Sequence, residues 1–236
     1  VAVGRGQGED ARQRTITTKT LACYCLSCQQ LDVPLVQQLM KAWHKTGMDA
    51  IAGGVEFPVS ASECFQQASD FFFEKLSLEE APRVIPGAML ESTYQVAFDA
   101  CSGLVKAELD ILVRRTQDNK DGMKQSQPVI QGALDKLFQL LPFMQPLKNS
   151  VNEVELVLML GKAGEIMQRF GNAQCAESYF QQAFKAAKLI CSDSEEAKKF
   201  TLKAVHNLAK CQLATNPRDS LLTLGLACEW KDEPEP

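Results

Sequence analysis

The chain is poor in residues that do chemistry. It holds 2 His, 2 Trp and 3 Tyr among 236 residues, which leaves few imidazoles for general acid–base work. His44 in KAWHKTG and His206 in KAVHNLAK stand without a nucleophile signature beside them and read as helix-surface or part-buried residues. No charge of one sign dominates. With 25 Lys plus Arg against 29 Asp plus Glu, the net charge is −4 and no basic run interrupts the balance, so direct contact with nucleic acid is not expected. No apolar run approaches the ~18–20 residues that cross a bilayer, and the opening VAVGRGQGEDARQRT lacks a signal peptide's apolar middle. No membrane contact is therefore expected. The first residue is Val rather than Met, which leaves open that the chain is a segment of a longer protein.

Cysteine is the exception to this scarcity. There are 9, three of them in CYCLSC at 23–28. An odd number scattered through apolar, helix-like stretches suits a reducing, intracellular setting, cytoplasmic or nuclear, better than a disulfide framework. On a helix Cys25 and Cys28 share a face, but Cys23 and Cys25 lie roughly 200° apart. One helix cannot turn all three thiolates to one ion, and no second C-x-x-C or H-x3–5-H completes a zinc site. The stretch reads as buried cysteine acting as a small hydrophobe, and neither a metal nor a cofactor is expected. The GRGQG at 4–8 follows no strand and ends in no GK[ST], so it is no phosphate loop. Glu108 and Asp110 cannot face one pocket from one helix, and the aromatics of DFFFEKL cover more than one face, as burial between neighbours requires. No catalytic constellation emerges.

Helices are abundant. Ser60–Glu63, Ser77–Glu80, Ser150–Glu153 and Ser192–Glu195 each offer a capping pair, and NPRD offers Asn216 as cap with Pro217 behind it. The apolar rhythm predicts helices near 16–30, 33–46, 60–76, 88–117, 127–141, 150–170, 173–191, 194–214 and 217–230, with one doubtful extended piece at IAGGVEFPV. The fold class is all-α. The divisions are a disordered leader at 1–15, a helical layer at 16–117, a polar loop at 118–127, a second layer at 128–230 and an acidic tail at 231–236.

Self-similarity adds more. Ala61, Phe65 and Ala68 correspond to Ala176, Phe180 and Ala183, each set spaced A-x3-F-x2-A around a shared F-Q-Q-A. Small residues flanking a large ring let a helix approach its partner while the ring fills the gap. Before the second copy, Gly164 sits where a first helix wants a small residue, Gly171 ends that helix and Asn172 begins the turn. This pattern resembles the tetratricopeptide (TPR) repeat at 157–190, with Leu160, Ala163 and Met167 in place of that family's Trp, Leu and Tyr, and Lys188 where Pro often closes the unit. A fainter copy at 194–230 uses Ala204, Asn207, Leu208 and Cys211, then Asn216, then Ser220, Leu224 and Ala227. It needs an insertion around CSDSEEAKKF, since the interval from Ala176 to Ser220 exceeds the usual ~34 residues. A trace at 33–76 and another at Leu90, Tyr94 and Ala97 complete the likeness.

The resemblance implies antiparallel helix pairs stacked into a short α-solenoid or right-handed superhelix, whose first helices line a concave groove. It implies a non-catalytic scaffold or adaptor binding a protein or peptide through Glu165, Gln168 and Arg169 of the clear unit and Gln212 of the faint one. Further stacking on other helical repeats is open. The Lys and Asn set that grips a terminal carboxylate in some members of that family has no match. Two other readings stand beside it: a helical regulatory domain of a larger enzyme whose catalytic part lies elsewhere, and a metal- or thiol-dependent switch at CYCLSC.

Overall fold

Four helix starts draw on a local side chain for hydrogen bonds that the first turn leaves unmade. Asp32 Oδ1 accepts from the Leu35 amide at 3.1 Å, Ser60 Oγ from Glu63 at 3.1 Å, Asn172 Oδ1 from Cys175 at 3.2 Å and Asn216 Oδ1 from Asp219 at 3.5 Å. The computed structural model describes residues 3–27, 32–53, 60–76, 78–114, 120–144, 151–187 and 195–229. The capping pairs expected at Ser77, Ser150 and Ser192 lie outside them, as do Cys28 and Cys191.

Among the described residues the regular structure is entirely helical: α1 (Val3–Ser27), α2 (Val33–Gly53), α3 (Ala61–Lys75), the single turn α4 (Ala81–Val84), α5 (Gly87–Arg114), α6 (Lys120–Met144), α7 (Val151–Arg169), α8 (Ala173–Ala187), α9 (Glu195–Thr215) and α10 (Pro217–Glu229). No strand occurs among them, and residues 51–53 of the doubtful extended piece close α2. None of these helices is long and apolar enough to cross a membrane.

Three boundaries differ from the sequence expectation. Instead of a disordered leader, α1 is helical from Val3, although Gly4, Gly6 and Gly8 in its first turns are poor helix formers. Thr15, Thr17 and Thr18 send their hydroxyls back to carbonyls four residues earlier. Much of the polar loop at 118–127 likewise belongs to α6, which carries Pro128 and Pro142 within it. Gly47 does not end α2, which runs six residues further to Gly53. The helix accepts a glycine there, at a cost of roughly 1 kcal/mol, because a Cβ on Gly47 would stand 2.9 Å from the Phe65 ring.

The chain forms two compact units, one of Val1–Asp110 with Gln125–Leu147 and one of Ile111–Lys124 with Lys148–Pro236. Helix α6 thus falls mostly in the first unit rather than with the C-terminal helices. In that unit α1 packs on α2 and α2 on α3, around Met40, Trp43, Phe65, Phe72 and Phe98, all fully buried. The Gln37 amide donates to Thr93 Oγ1 at 2.9 Å, tying α2 to α5, and Lys136 on α6 meets Asp70 on α3 at 2.6 Å.

In the second unit α7 packs on α8, α8 on α9 and α9 on α10, while α7 also reaches α9. Gly171, at φ 75°, turns the chain between α7 and α8. Its amide and that of Asn172 close back on Gln168 and Met167 at 3.0 and 2.9 Å, the double bond of a Schellman ending. The core holds Leu160, Ala163, Met167, Ala176, Tyr179, Phe180 and Ala183.

Candidate functional site

A concavity of the second unit runs between α7 and α9. Its upper part, about 290 Å³, has an apolar base made by Val157, Leu158, Gly161, Phe180, Ala183 and Ala204. Phe180 comes from α8 beneath and is buried to 1 %. It is seated there because Gly164 on α7 has no side chain: a Cβ would lie 2.6 Å from the ring. At Gly161, one turn earlier, a Cβ would meet nothing within 4 Å, so the missing side chain leaves space above the ring.

The polar walls come from both helices. Lys162 and Glu165 of α7 face Lys203 and Asn207 of α9 in the upper part. Glu165 and Asn207 continue into a second space of about 340 Å³, with Gln168, Arg169 and Lys210. Three of the four residues assigned from sequence, Glu165, Gln168 and Arg169, therefore share one groove.

Gln212 does not belong to it. It is 6 % exposed, donates its amide to Glu177 Oε1 at 3.3 Å and accepts from the Thr223 hydroxyl at 2.7 Å, joining α8, α9 and α10. The physical reason is helical phase: Gln212 lies two positions, roughly 200°, from Lys210, which does line the groove. Lys203, Asn207 and Lys210 recur at i, i+4 and i+7 of α9, a one-face polar stripe that could have marked this wall. The fainter sequence match also fails at one point, because Leu224 is 42 % exposed and fills no core position like that of Phe180.

In the first unit Lys136 Nζ lies 3.2 Å from Ser69 Oγ, and Ser69 Oγ lies 3.3 Å from Cys101 Sγ. Ser69 and Cys101 are both fully buried, so no substrate reaches this hydroxyl and the cluster clasps α6 to α3 and α5. Burial pushes the Cys101 thiol up to about 11, against the opposing effect of its Ser69 hydrogen bond, and the Cys64 thiol up to about 12. Both are thereby held as unreactive thiols. Within CYCLSC, Cys23 is buried and Cys25 exposed, on the opposite faces that helical phase demands. Among the described residues no group of three or more His, Cys, Asp or Glu could hold a metal ion. In DFFFEKL, Phe71 and Phe72 are buried and Lys136 stands over the Phe73 ring at 5.1 Å.

Comparison with known protein families, with characterised proteins and with solved structures found no match.

Proposed function

We propose that this chain is a non-catalytic helical scaffold that binds a polypeptide in the α7–α9 groove, and that α7–α10 are two TPR-like helix pairs. The observation that carries the reading is the groove itself: an apolar base over a seated aromatic ring, walled by polar side chains from two helices that are not neighbours in sequence. Contact between α7 and α9 across α8 is the arrangement in which first helices of successive pairs lie side by side. Ala176, Phe180 and Ala183, all buried, support the A-x3-F-x2-A device in the first pair. The exposed Leu224 makes the second pair the less regular one.

From Leu158 to Arg169 the wall of α7 is roughly 16 Å long, enough for about five residues of extended chain. Such a segment would lay main chain along the walls and one side chain into the space above Phe180.

The test fills that space. Gly161→Leu puts a side chain where the backbone leaves room and replaces a helical glycine with a better helix former, so the protein should fold at least as well as the parent. A photo-crosslinking residue at position 165 should label a polypeptide in the parent and lose that label in Gly161→Leu. The same residue at Gln181, on the exposed side of α8, should give no label in either. Equal labelling at 165 and 181, or labelling at 165 indifferent to Gly161→Leu, rules the groove out as the binding surface.

A further inference from the structure

Helix α10 is packed inside out. Its inner side is polar: Ser220 and Thr223 are buried, and their hydroxyls donate to the Ala209 carbonyl at 2.8 Å and to Gln212 Oε1 at 2.7 Å, both on α9. Its outer side is apolar, with Leu221 70 % and Leu222 63 % exposed. An ordinary surface helix does the reverse, as α6 does in the first unit, where Ile130, Leu134 and Leu137 are buried while Asp135 and Gln139 are exposed. Arg218, Leu221, Leu222 and Gly225 are spaced i, i+3, i+4 and i+7, so they form one stripe along α10, and all four are exposed. A Cβ on Gly225 would meet nothing within 4 Å. The stripe is therefore a pair of leucines with a long cationic side chain on one flank and a gap on the other.

That order is self-complementary. Laid antiparallel on a copy of itself about a two-fold axis beside the leucines, the stripe sets Leu221 and Leu222 on their counterparts and carries each Arg218 to the other copy's gap at Gly225. The arginine stem fills the gap, and its head moves from the positive end of its own helix dipole toward the negative end of the other. A parallel arrangement would instead oppose arginine to arginine. We infer that the outer face of α10 is the contact between two copies of this chain, an isologous antiparallel helix pair. At 13 residues α10 is roughly 20 Å long, too short to cover by itself the ~800 Å² per partner of a standard interface, so the dimer is a weak one that forms in the micromolar range. Helix α10 contributes no residue to the lining of the α7–α9 groove, so the pairing is independent of what the groove binds.

Sedimentation equilibrium of the purified full chain, from low to several hundred micromolar, should show the 26.0 kDa monomer passing to twice that mass. Leu222→Glu should hold the chain monomeric throughout, with unchanged helical circular dichroism. Arg218→Glu places an acidic residue in the first turn of α10, where it favours the helix, and Gly225→Lys replaces a glycine with a better helix former, so both should fold as well as the parent. Each should nevertheless raise the dissociation constant about tenfold, a step of ~1.4 kcal/mol, because the first removes the cation and the second sets Lys against Arg218. Combined, they place Glu opposite Lys and should restore the dissociation constant of the parent. A chain that stays monomeric at every concentration, or a dimer indifferent to Leu222→Glu, overturns the pairing. A double variant no tighter than either single one overturns the antiparallel register and the assignment with it. Loss of the dimer in Gly161→Leu places the contact in the groove and overturns it too. A photo-crosslinking residue at position 221 should join two copies of the purified chain; labelling of a different polypeptide in extract, by a chain that is monomeric when purified, assigns the face to a foreign partner instead.

Discussion

In the α2–α3 pair the Phe65 ring lies against two glycines, Gly47 and Gly103, whose Cβ atoms would stand 2.9 and 2.8 Å from it. In the α7–α8 pair the Phe180 ring lies against Gly164 alone, at 2.6 Å. Both rings are buried and both helices approach through a glycine, and the second pair carries a groove. The difference sits three residues before the glycine. There the first pair has His44, whose ring lies 5.4 Å from that of Phe65; the second has Gly161, which leaves the space above Phe180 vacant. One residue type closes the surface and the other opens it. The same seating of a ring by a glycine thus accompanies a covered surface in one pair and an open space in the other, according to the side chain three residues earlier.

The largest test of this contrast removes the rings. Phe65→Ala opens an enclosed cavity bounded by α2 and α5 and should cost about 4–5 kcal/mol, the upper part of the range for buried aromatics. Phe180→Ala enlarges a space that already lies open along α7 and α9, and should cost nearer 3 kcal/mol. Urea denaturation with a common slope measures both. Equal losses would mean that the groove base is as dry as the core of the first unit.

The next test goes through the glycines. Gly103→Ala and Gly164→Ala each gain helix propensity of up to about 1 kcal/mol, but force a methyl into a ring that cannot move away, an overpacking of about 1–3 kcal/mol. Both should destabilise on balance. Adding Phe65→Leu to the first, or Phe180→Leu to the second, should recover part of the loss, and the double-mutant cycle should show coupling of about 1 kcal/mol or more. Strict additivity would show that the glycines serve the helices and not the rings.

How far the sequence led depended on how locally each feature is written. Helices α7 to α10 were legible to within a few residues because Asn172, Asn216 and Pro217 mark their starts and Gly171 an end with their own chemistry. Burial of Phe65 and Phe180 was legible from A-x3-F-x2-A, and so was the sharing of a groove by Glu165, Gln168 and Arg169, since they follow one helix phase. Gly47 misled, because a glycine before a polar-apolar mixture reads as a break, and only the ring of Phe65 across the interface reveals why the helix continues. Gln212 misled for a related reason: its phase on α9 was inherited from an irregular repeat instead of from the Lys203, Asn207, Lys210 stripe. The placement of α6 with the first unit rests on contacts such as Lys136 to Asp70, which join residues too far apart in the chain for any local pattern to announce.

The finest test of the comparison is acid. Burial holds the His44 imidazole below its ordinary value of 6.5, with the Asp99 carboxylate pulling weakly the other way. The folded state therefore prefers the neutral ring. A group depressed in this way contributes stability that is fully present above the unfolded value and is lost as pH falls below about 6.5 and on through the folded value, because the unfolded chain takes up the proton first. His44→Gln keeps a polar cover over Phe65 but cannot titrate. Its urea midpoint should track that of the parent at neutral pH and fall less than the parent's as the pH drops below 6.5. The second pair has Gly161 at the matching place, so a reporter confined to it, such as the signal of a label at Gln181, should show the same acid response in parent and variant if the two units unfold separately. A parent and variant that decline in parallel would show that the cover over Phe65 is neutral to its own protonation, and that closing the first pair takes nothing more than the bulk of a side chain.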